Sequence, residues 1–339
     1  MLSTRARGMT SPNPMVGAVI VKNGRIIAEG FHRKAGTPHA EALAITAAGG
    51  KAKASTLYVS LEPCCHTDKR TPPCTRTIID SGIKRVVVAM RDPNPKVSGK
   101  GVKELERAGI EVVTGILEEK AKQVNEYYIK YITTKKPFVI LKVAMTLDGK
   151  IATASGQSKW ITGEKSRMMV HRLRSSVDAV MTAIGTVKAD DPQLTARIRN
   201  GRHPVRILID PSLEVSPDAK ILKVPPETVI VTKNTRNPAL LRKANKLINS
   251  GSYIILYKQK LELNWLMKKL GEKGITSIMI EGGSSLNAHA LDEGIVDKVM
   301  LFIAPKIMGG TASYPAVGGK KLRDLDEAYR IKNYTLNRH

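Results

Sequence analysis

The sequence predicts an α/β protein of two domains, and three observations carry that expectation. The chain has 339 residues, more than one hydrophobic core usually serves before a chain divides. Strand-like apolar runs alternate with helix-like stretches in both halves, the pattern of sheets with helices packed on their faces. A polar stretch, Thr133-Thr134-Lys135-Lys136-Pro137, separates the halves and reads as a linker, giving domains over 1–134 and 138–339.

The first half opens with two strands, Val16 to Val21 and Arg25 to Glu29, around Asn23-Gly24, a strong hairpin turn signal. Pro38 precedes a helix from Ala40 to Ala48, which Gly49-Gly50 ends. Thr56 to Leu61 reads as a buried strand leading into a cysteine-bearing segment. Arg85 to Met90 is a further strand, Lys100 to Ala108 a helix and Ile110 to Thr114 a strand again. An amphipathic stretch, Leu117 to Ile132, closes this half.

The second half restarts with a strand from Phe138 to Met145. Further strands are expected at Ala179 to Ala183, Val205 to Ile209, Thr228 to Val231, Tyr253 to Leu256, Ser277 to Ile280 and Val299 to Ile303. Helices are expected at Trp265 to Leu270 and Leu286 to Leu291. There is no internal repeat and no low-complexity segment.

Composition narrows the function classes. No apolar run approaches the roughly 18 to 20 residues of a membrane span, and Met1 to Pro14 lacks the apolar stretch of a secretory signal. The three cysteines all fall between Cys64 and Cys74, so metal binding is favoured over a disulfide framework. The expected location is cytoplasmic. Lys and Arg outnumber Asp and Glu 55 to 30, which favours anionic partners. The basic residues are dispersed and only 4% of the chain is aromatic, so a stacking nucleic-acid groove is not expected.

The chemistry concentrates in two segments. His39-Ala40-Glu41 opens the first helix, and the later string runs from Glu62-Pro63-Cys64-Cys65-His66 to Cys74. Zinc deaminases use one His and two Cys as ligands beside a Glu that is not a ligand. Three protein ligands leave a fourth position for water, whose pKa the metal lowers toward neutrality. We therefore assign His39, Cys64 and Cys74 as zinc ligands and Glu41 as the proton shuttle, passing the water proton to a departing amine. A structural zinc site is the competing reading and would close its shell with Cys65 or His66. Cys65 is otherwise a small packed thiol. His32, His171, His203 and His339 fall in no motif and read as structural or surface residues.

Spacing separates the deaminase subtypes. Nucleic-acid and cytidine-type deaminases place the second cysteine three positions after the first, but Thr67 holds that position here and nine residues separate Cys64 from Cys74. The loop between carries His66, Lys69 and Arg70, which suits a phosphate.

These strings, with Ser11-Pro12-Asn13-Pro14-Met15-Val16-Gly17, closely resemble the bifunctional deaminase–reductase family of riboflavin biosynthesis. The second half carries the resemblance on through Lys142 to Gly149, Ser158 to Thr162, Thr186 to Pro192 and Glu281-Gly282-Gly283. It implies a cytidine-deaminase-like first domain and a dihydrofolate-reductase-like second domain. It also implies two steps: deamination of a diamino-ribosylamino-pyrimidinone 5′-phosphate, then reduction of its ribosyl group to ribityl with NADPH. By the same resemblance, Asn13, His66 and Arg70 contact the substrate and its phosphate in the deaminase. Ala144, Trp160, Thr186, Asp190 and the run Gly283, Ser284, Ser285, Leu286, Asn287, Ala288 and His289 contact the cofactor. Ser158, Arg174, Leu194, Arg197 and Glu281 contact the reductase substrate, and a homo-oligomer is expected. Two departures stand out: the Cys64 to Cys74 segment is one residue longer than the common spacing, and both termini are short of the family's usual extent.

The residues of the second half support this reading in part. A strand runs into Glu281-Gly282-Gly283 and a helix, a turn whose free N–H groups suit phosphate, although an ordinary tight turn has the same sequence signature. No Gly-x-Gly-x-x-Gly follows a strand, which disfavours a Rossmann domain. Arg174 and Arg197 suit a bidentate grip on phosphate, while Trp160 serves core packing equally well. No general acid is assigned, with Asp148 and Glu281 the acidic candidates. Two competing functions are a nucleic-acid deaminase with an added binding domain, which Thr67 opposes, and a non-catalytic zinc domain joined to a nucleotide-binding regulator, for which Glu41 would have no use.

Overall fold

The computed structural model describes residues 2–67, 72–319 and 324–338, and they form two compact units. The first comprises Met1–Phe138 with Leu270–Thr276, the second Val139–Lys269 with Ser277–His339. Among the described residues no helix is long and apolar enough to cross a membrane.

In the first unit, β1 (Gly17–Lys22) and β2 (Arg25–Phe31) pair antiparallel about Asn23-Gly24. Both turn residues have positive φ, 51° and 74°, as a type I′ hairpin requires. Helix α1 (Ala40–Ala48), β3 (Thr56–Val59), α2 (Cys74–Asp80), β4 (Arg85–Val88), α3 (Lys100–Arg107) and β5 (Glu111–Thr114) follow. The sheet order is β2-β1-β3-β4-β5, with β3, β4 and β5 parallel. Ala18, Ile20, Leu57, Ile78, Val86 and Leu105 are buried between sheet and helices. Gly30 lets α1 lie directly on β2: a Cβ there would come within 2.3 Å of the Ala40 carbonyl oxygen.

The single amphipathic stretch expected after β5 is two helices, α4 (Glu118–Val124) and α5 (Glu126–Thr134). The break falls at Asn125, a buried residue whose side chain faces the chain near residue 15. Its Oδ1 accepts from Met15 N–H at 2.8 Å and its Nδ2 donates to Met15 O at 3.1 Å. Helix α5 runs through Thr134, into the stretch read as linker. Helix α2 was not anticipated, because its seven residues carry no clear apolar period.

The second unit contains β6 (Phe138–Thr146), β7 (Lys150–Ala152), α6 (Glu164–Ser176), β8 (Ala179–Ala183), α7 (Ile184–Asp190), β9 (Val205–Ile209), β10 (Thr228–Lys233), α8 (Pro238–Asn249), β11 (Tyr253–Tyr257), α9 (Leu263–Glu272), β12 (Ser277–Ile280), α10 (Ser284–Asp292), β13 (Lys298–Ala304) and β14 (Tyr314–Pro315). Seven strands form one sheet in the order β11-β10-β9-β8-β12-β6-β13. The run β11, β10, β9, β8, β12 is parallel throughout, and so is the pair β6 and β13. Strands β8 and β12 are near-continuous apolar runs, the mark of parallel strands covered on both faces. Their C-terminal ends lead directly into α7 and the Glu281 turn. In open α/β sheets such ends are where ligands bind.

Candidate active site

His39 stands at the N-cap of α1 in extended backbone, and Glu41 lies in the first turn of that helix. Cys64 follows β3, and Cys74 is the first residue of α2. The loop carrying Cys64 is braced by Glu62, whose carboxylate accepts from the N–H groups of Asp92, Gly99 and Val102 at 3.0–3.1 Å. Gly101 is required in that brace, since a Cβ there would sit 2.1 Å from the Pro63 carbonyl oxygen.

The structure brings all three predicted ligands together. His39 Nδ1 lies 3.2 Å from Cys74 Sγ and 3.5 Å from Cys64 Sγ, and the three ligand atoms lie within 4.8 Å of one another. Donors on one tetrahedral zinc, with bonds of about 2.1–2.3 Å, are roughly 3.5–3.8 Å apart, so the set fits the ion. Among the described residues neither Cys65 nor His66 joins this group. Cys65 Sγ is instead 4.0 Å from the Lys96 carbonyl oxygen, and burial pushes its thiol pKa up. Among the described residues the set is therefore a three-ligand one.

Glu41 is only 3% exposed, and its Oε2 has no hydrogen-bond partner among the described residues. Burial, reinforced by neighbouring Cys64, pushes its carboxyl pKa up. A buried carboxyl with one oxygen unengaged beside a metal-type donor set is what a proton carrier requires.

The same residues line a cavity of about 680 Å³, together with Asn13, His32, His66, Asp92 and Tyr128. Asn13 and His66 thus lie at the cavity, while Arg70 lies outside the described residues. The sequence reading missed three lining residues. Tyr128 O–H donates to Asp92 Oδ1 at 2.8 Å, and burial raises the Asp92 pKa to about 6. His32, read as structural or surface, is 3% exposed and lies 3.2 Å from Asn13 Nδ2 through Nε2. Burial lowers its pKa. A lone histidine at a strand end carried no signal that could have marked it.

In the second unit Glu281 follows β12, where Arg174 and Lys142 meet it, and Thr186 lies in α7, which follows β8. The Arg174 guanidinium holds Glu281 through Nε to Oε1 at 2.6 Å and Nη2 to Oε2 at 3.0 Å, and its Nη1 donates to the Thr195 carbonyl. Lys142 Nζ adds a contact to Glu281 Oε2 at 3.2 Å. Burial alone would raise the Glu281 pKa, but the charges of Arg174 and Lys142 outweigh it and hold it at about 2. Lys142 was named from sequence only within the motif from Lys142 to Gly149 and not as a site residue, although a lysine inside an otherwise apolar strand was the available signal.

Leu194 is buried with φ of 54°, a strained conformation for a branched side chain. The Arg197 side chain is exposed, and its backbone N–H donates to His171 Nδ1 at 3.3 Å. Ser158 O–H donates to Asp190 Oδ1 at 2.8 Å. Trp160 is not a core residue: it is 64% exposed, with the Arg167 guanidinium 4.7 Å over its ring. Ala144, on β6, is half-buried.

Gly283 caps α10 beside Thr186. The first helical hydrogen bond is Asn287 N–H to Gly283 O at 3.1 Å, so the N–H groups of Ser284, Ser285 and Leu286 precede it. Leu286, Asn287 and Ala288 turn their side chains into the core, and His289 pairs with Glu293 at 2.6 Å. Neither acidic candidate for proton donation carries a proton near neutrality. Glu281 is ionised, and Asp148 is held far below the usual carboxylate range by Thr146 and the N–H groups of Met308 and Gly309.

Comparison with known proteins gives concordant results for both units. Residues 1–90 match the model for the cytidine and deoxycytidylate deaminase zinc-binding region, and residues 137–336 match the RibD C-terminal domain. The chain is 47% identical to riboflavin biosynthesis protein RibD of Aquifex aeolicus over 333 residues, covering 98% of this chain and 91% of that protein. It is 41% identical to that of Escherichia coli over 324 residues, 92% and 87% of the two chains. Among solved structures, Acinetobacter baumannii RibD superposes with a TM-score of 0.88 at 38% identity, covering 98% of this chain and 91% of that one. A diaminohydroxyphosphoribosylaminopyrimidine deaminase/5-amino-6-(5-phosphoribosylamino)uracil reductase from Thermotoga maritima superposes with a TM-score of 0.86 at 41% identity, covering 97% and 90%.

Proposed function

The chain belongs to the RibD family of riboflavin biosynthesis, and we propose that its two units carry out the family's two reactions through the residues described above. It is a bifunctional enzyme, a deaminase with hydrolase chemistry joined to a reductase with oxidoreductase chemistry. The observation that carries the first activity is the convergence of His39, Cys64 and Cys74 with the buried carboxyl of Glu41.

Zinc held by those three residues supplies Lewis acidity that brings water ionisation toward neutral pH. Glu41 does the proton work: Oε2 takes a proton from the attacking water and returns it to the amine that leaves as ammonia. Burial keeps that carboxyl in a low dielectric, which raises its affinity for a proton. Asn13 and His66 line the cavity where a 2,5-diamino-6-ribosylamino-4(3H)-pyrimidinone 5′-phosphate would bind, and in this reading Arg70, which falls between Cys64 and Cys74 in the sequence, contacts its phosphate.

For the reductase, the free N–H groups at the start of α10 suit a phosphate of NADPH. Thr186, Asp190, Trp160 and Ala144 complete the cofactor contacts in this reading. The Arg174–Glu281–Lys142 cluster, with Ser158, Leu194 and Arg197, faces the substrate. Glu281, ionised, orients hydroxyl groups by accepting from them, and the hydride chemistry is the cofactor's own. A homo-oligomer in the cytoplasm belongs to the same proposal.

A coupled assay on zinc-loaded full-length protein tests it, with ammonia release and NADPH oxidation followed separately on the diamino-pyrimidinone ribosyl phosphate. Zinc-dependent ammonia release followed by NADPH consumption is expected. No ammonia would overturn the deaminase assignment, and ammonia without NADPH oxidation would overturn the reductase assignment.

A further inference from the structure

We infer that His32 is a positioning residue for deamination: it orients the Asn13 amide so that Oδ1 of Asn13 faces the cavity and accepts a hydrogen bond from the substrate. The inference rests on the reading that Asn13 contacts substrate.

The argument is one of donors and acceptors. His32 Nδ1 lies 3.2 Å from the Pro38 carbonyl oxygen, and a carbonyl only accepts, so Nδ1 carries the ring proton. The ring is buried, and its polar contacts are Pro38 and Asn13, with His39 edge-on at a centroid distance of 5.2 Å. With Nδ1 donating to Pro38, Nε2 of the ring is the acceptor, and among the described residues no carboxylate hydrogen-bonds to it. Asn13 reaches Nε2 at 3.2 Å, and of its two amide ends only the NH2 group can donate there. The two amide orientations of an asparagine differ by a half-turn and are nearly equal in shape, so this contact selects one.

An acceptor held at the cavity wall selects a donor on the ligand. Amino groups and ring N–H groups, which an amino-substituted pyrimidinone offers, satisfy it; a ring carbonyl in the same place does not. The relay ends on Pro38, the residue before ligand His39, so the substrate contact is anchored to the loop that places the metal ligand.

Two near-isosteric variants separate this role from a packing role. In His32→Gln the side-chain oxygen takes the place of Nε2 and still accepts from Asn13. In His32→Asn the amide nitrogen takes the place of Nδ1, keeping the Pro38 contact and withdrawing the acceptor. With zinc-loaded full-length protein, the deamination KM is expected to rise about tenfold in His32→Asn, consistent with one misdirected buried hydrogen bond. It is expected to stay within about threefold of the parent in His32→Gln, because the hydrogen bond to Asn13 is retained. Zinc content and NADPH oxidation on the deaminated intermediate should be unchanged in both. Combined with Asn13→Ala, His32→Asn should add nothing further, because its effect passes through Asn13. Impairment of Gln rather than Asn, loss of zinc in either variant, or a full additional effect in the Asn13→Ala background would each overturn the relay. An unaltered KM in Asn13→Ala alone would instead overturn the reading of Asn13 as a substrate contact.

Discussion

Arg174 grips Glu281 through Nε and Nη2 of its guanidinium, and Lys142 approaches the same carboxylate from the neighbouring region of the sheet, at 3.2 Å from Oε2. One buried anion thus sits among two cations. The arrangement gives the second unit a charged centre at the C-terminal end of β12, where a polar substrate can be oriented.

Removing that anion strands both cations. Glu281→Ala should lower stability by about 3–5 kcal/mol, the usual cost of breaking a buried ion pair from one side. The measurement is denaturant unfolding followed beside zinc content. A midpoint unchanged from the parent would show that the cluster carries no such energy.

The same carboxylate makes stability depend on pH. Its pKa falls from 4.5 when unfolded to about 2 when folded, so between those values the unfolded chain binds more protons. Its contribution is fully present above about pH 4.5 and is lost as pH falls toward 2. Thermal melts from pH 6 to pH 3 should fall less steeply in Glu281→Gln than in the parent. Parallel curves would remove Glu281 from the explanation.

Glu41→Gln keeps the shape of the side chain and removes its ability to carry a proton. Ammonia release should drop by a factor of at least about a hundred, in line with the loss of a general acid–base, while bound zinc and NADPH oxidation on the deaminated intermediate persist. Zinc lost from this variant would mean that Glu41 is a ligand.

The cysteines should divide cleanly. Cys74→Ser should lose zinc and deamination together, because Cys74 Sγ lies 3.2 Å from His39 Nδ1, whereas Cys65→Ser should keep both. Metal analysis of the two purified variants decides the point, and zinc retention that depends on Cys65 would restore the closed, structural reading.

Asn125→Ala should cost about 1–3 kcal/mol for each Met15 backbone group it strands. Because Asn13 lies two residues away, the deamination KM should rise as well. A lower melting temperature with an unchanged KM would confine Asn125 to a purely structural role.

Much of the zinc site is legible in the sequence, since His39 and Glu41 are neighbours on one helix turn and Cys64 and Cys74 flank one loop. The hairpin at Asn23-Gly24 and the strands of both sheets are legible for the same reason: turn residues and apolar runs are local signals. Helix α2 is less so, because its start is set by Cys74 and the chain preceding it rather than by an apolar period. The split between α4 and α5 is decided by Asn125 reaching Met15, a partner 110 positions distant.

The sequence by itself determined which residues make up the His39, Glu41, Cys64 and Cys74 group and the α/β plan, because each is written in residues close together along the chain. Tertiary structure alone decided that Arg174 faces Glu281 across 107 positions, that Lys142 joins them across 139, and that His32 rather than solvent meets Asn13. Those pairings arise where sheet order brings separate strand ends side by side and burial removes water as an alternative partner. Charge and hydrogen-bond complementarity then act between groups whose nearness no local pattern encodes.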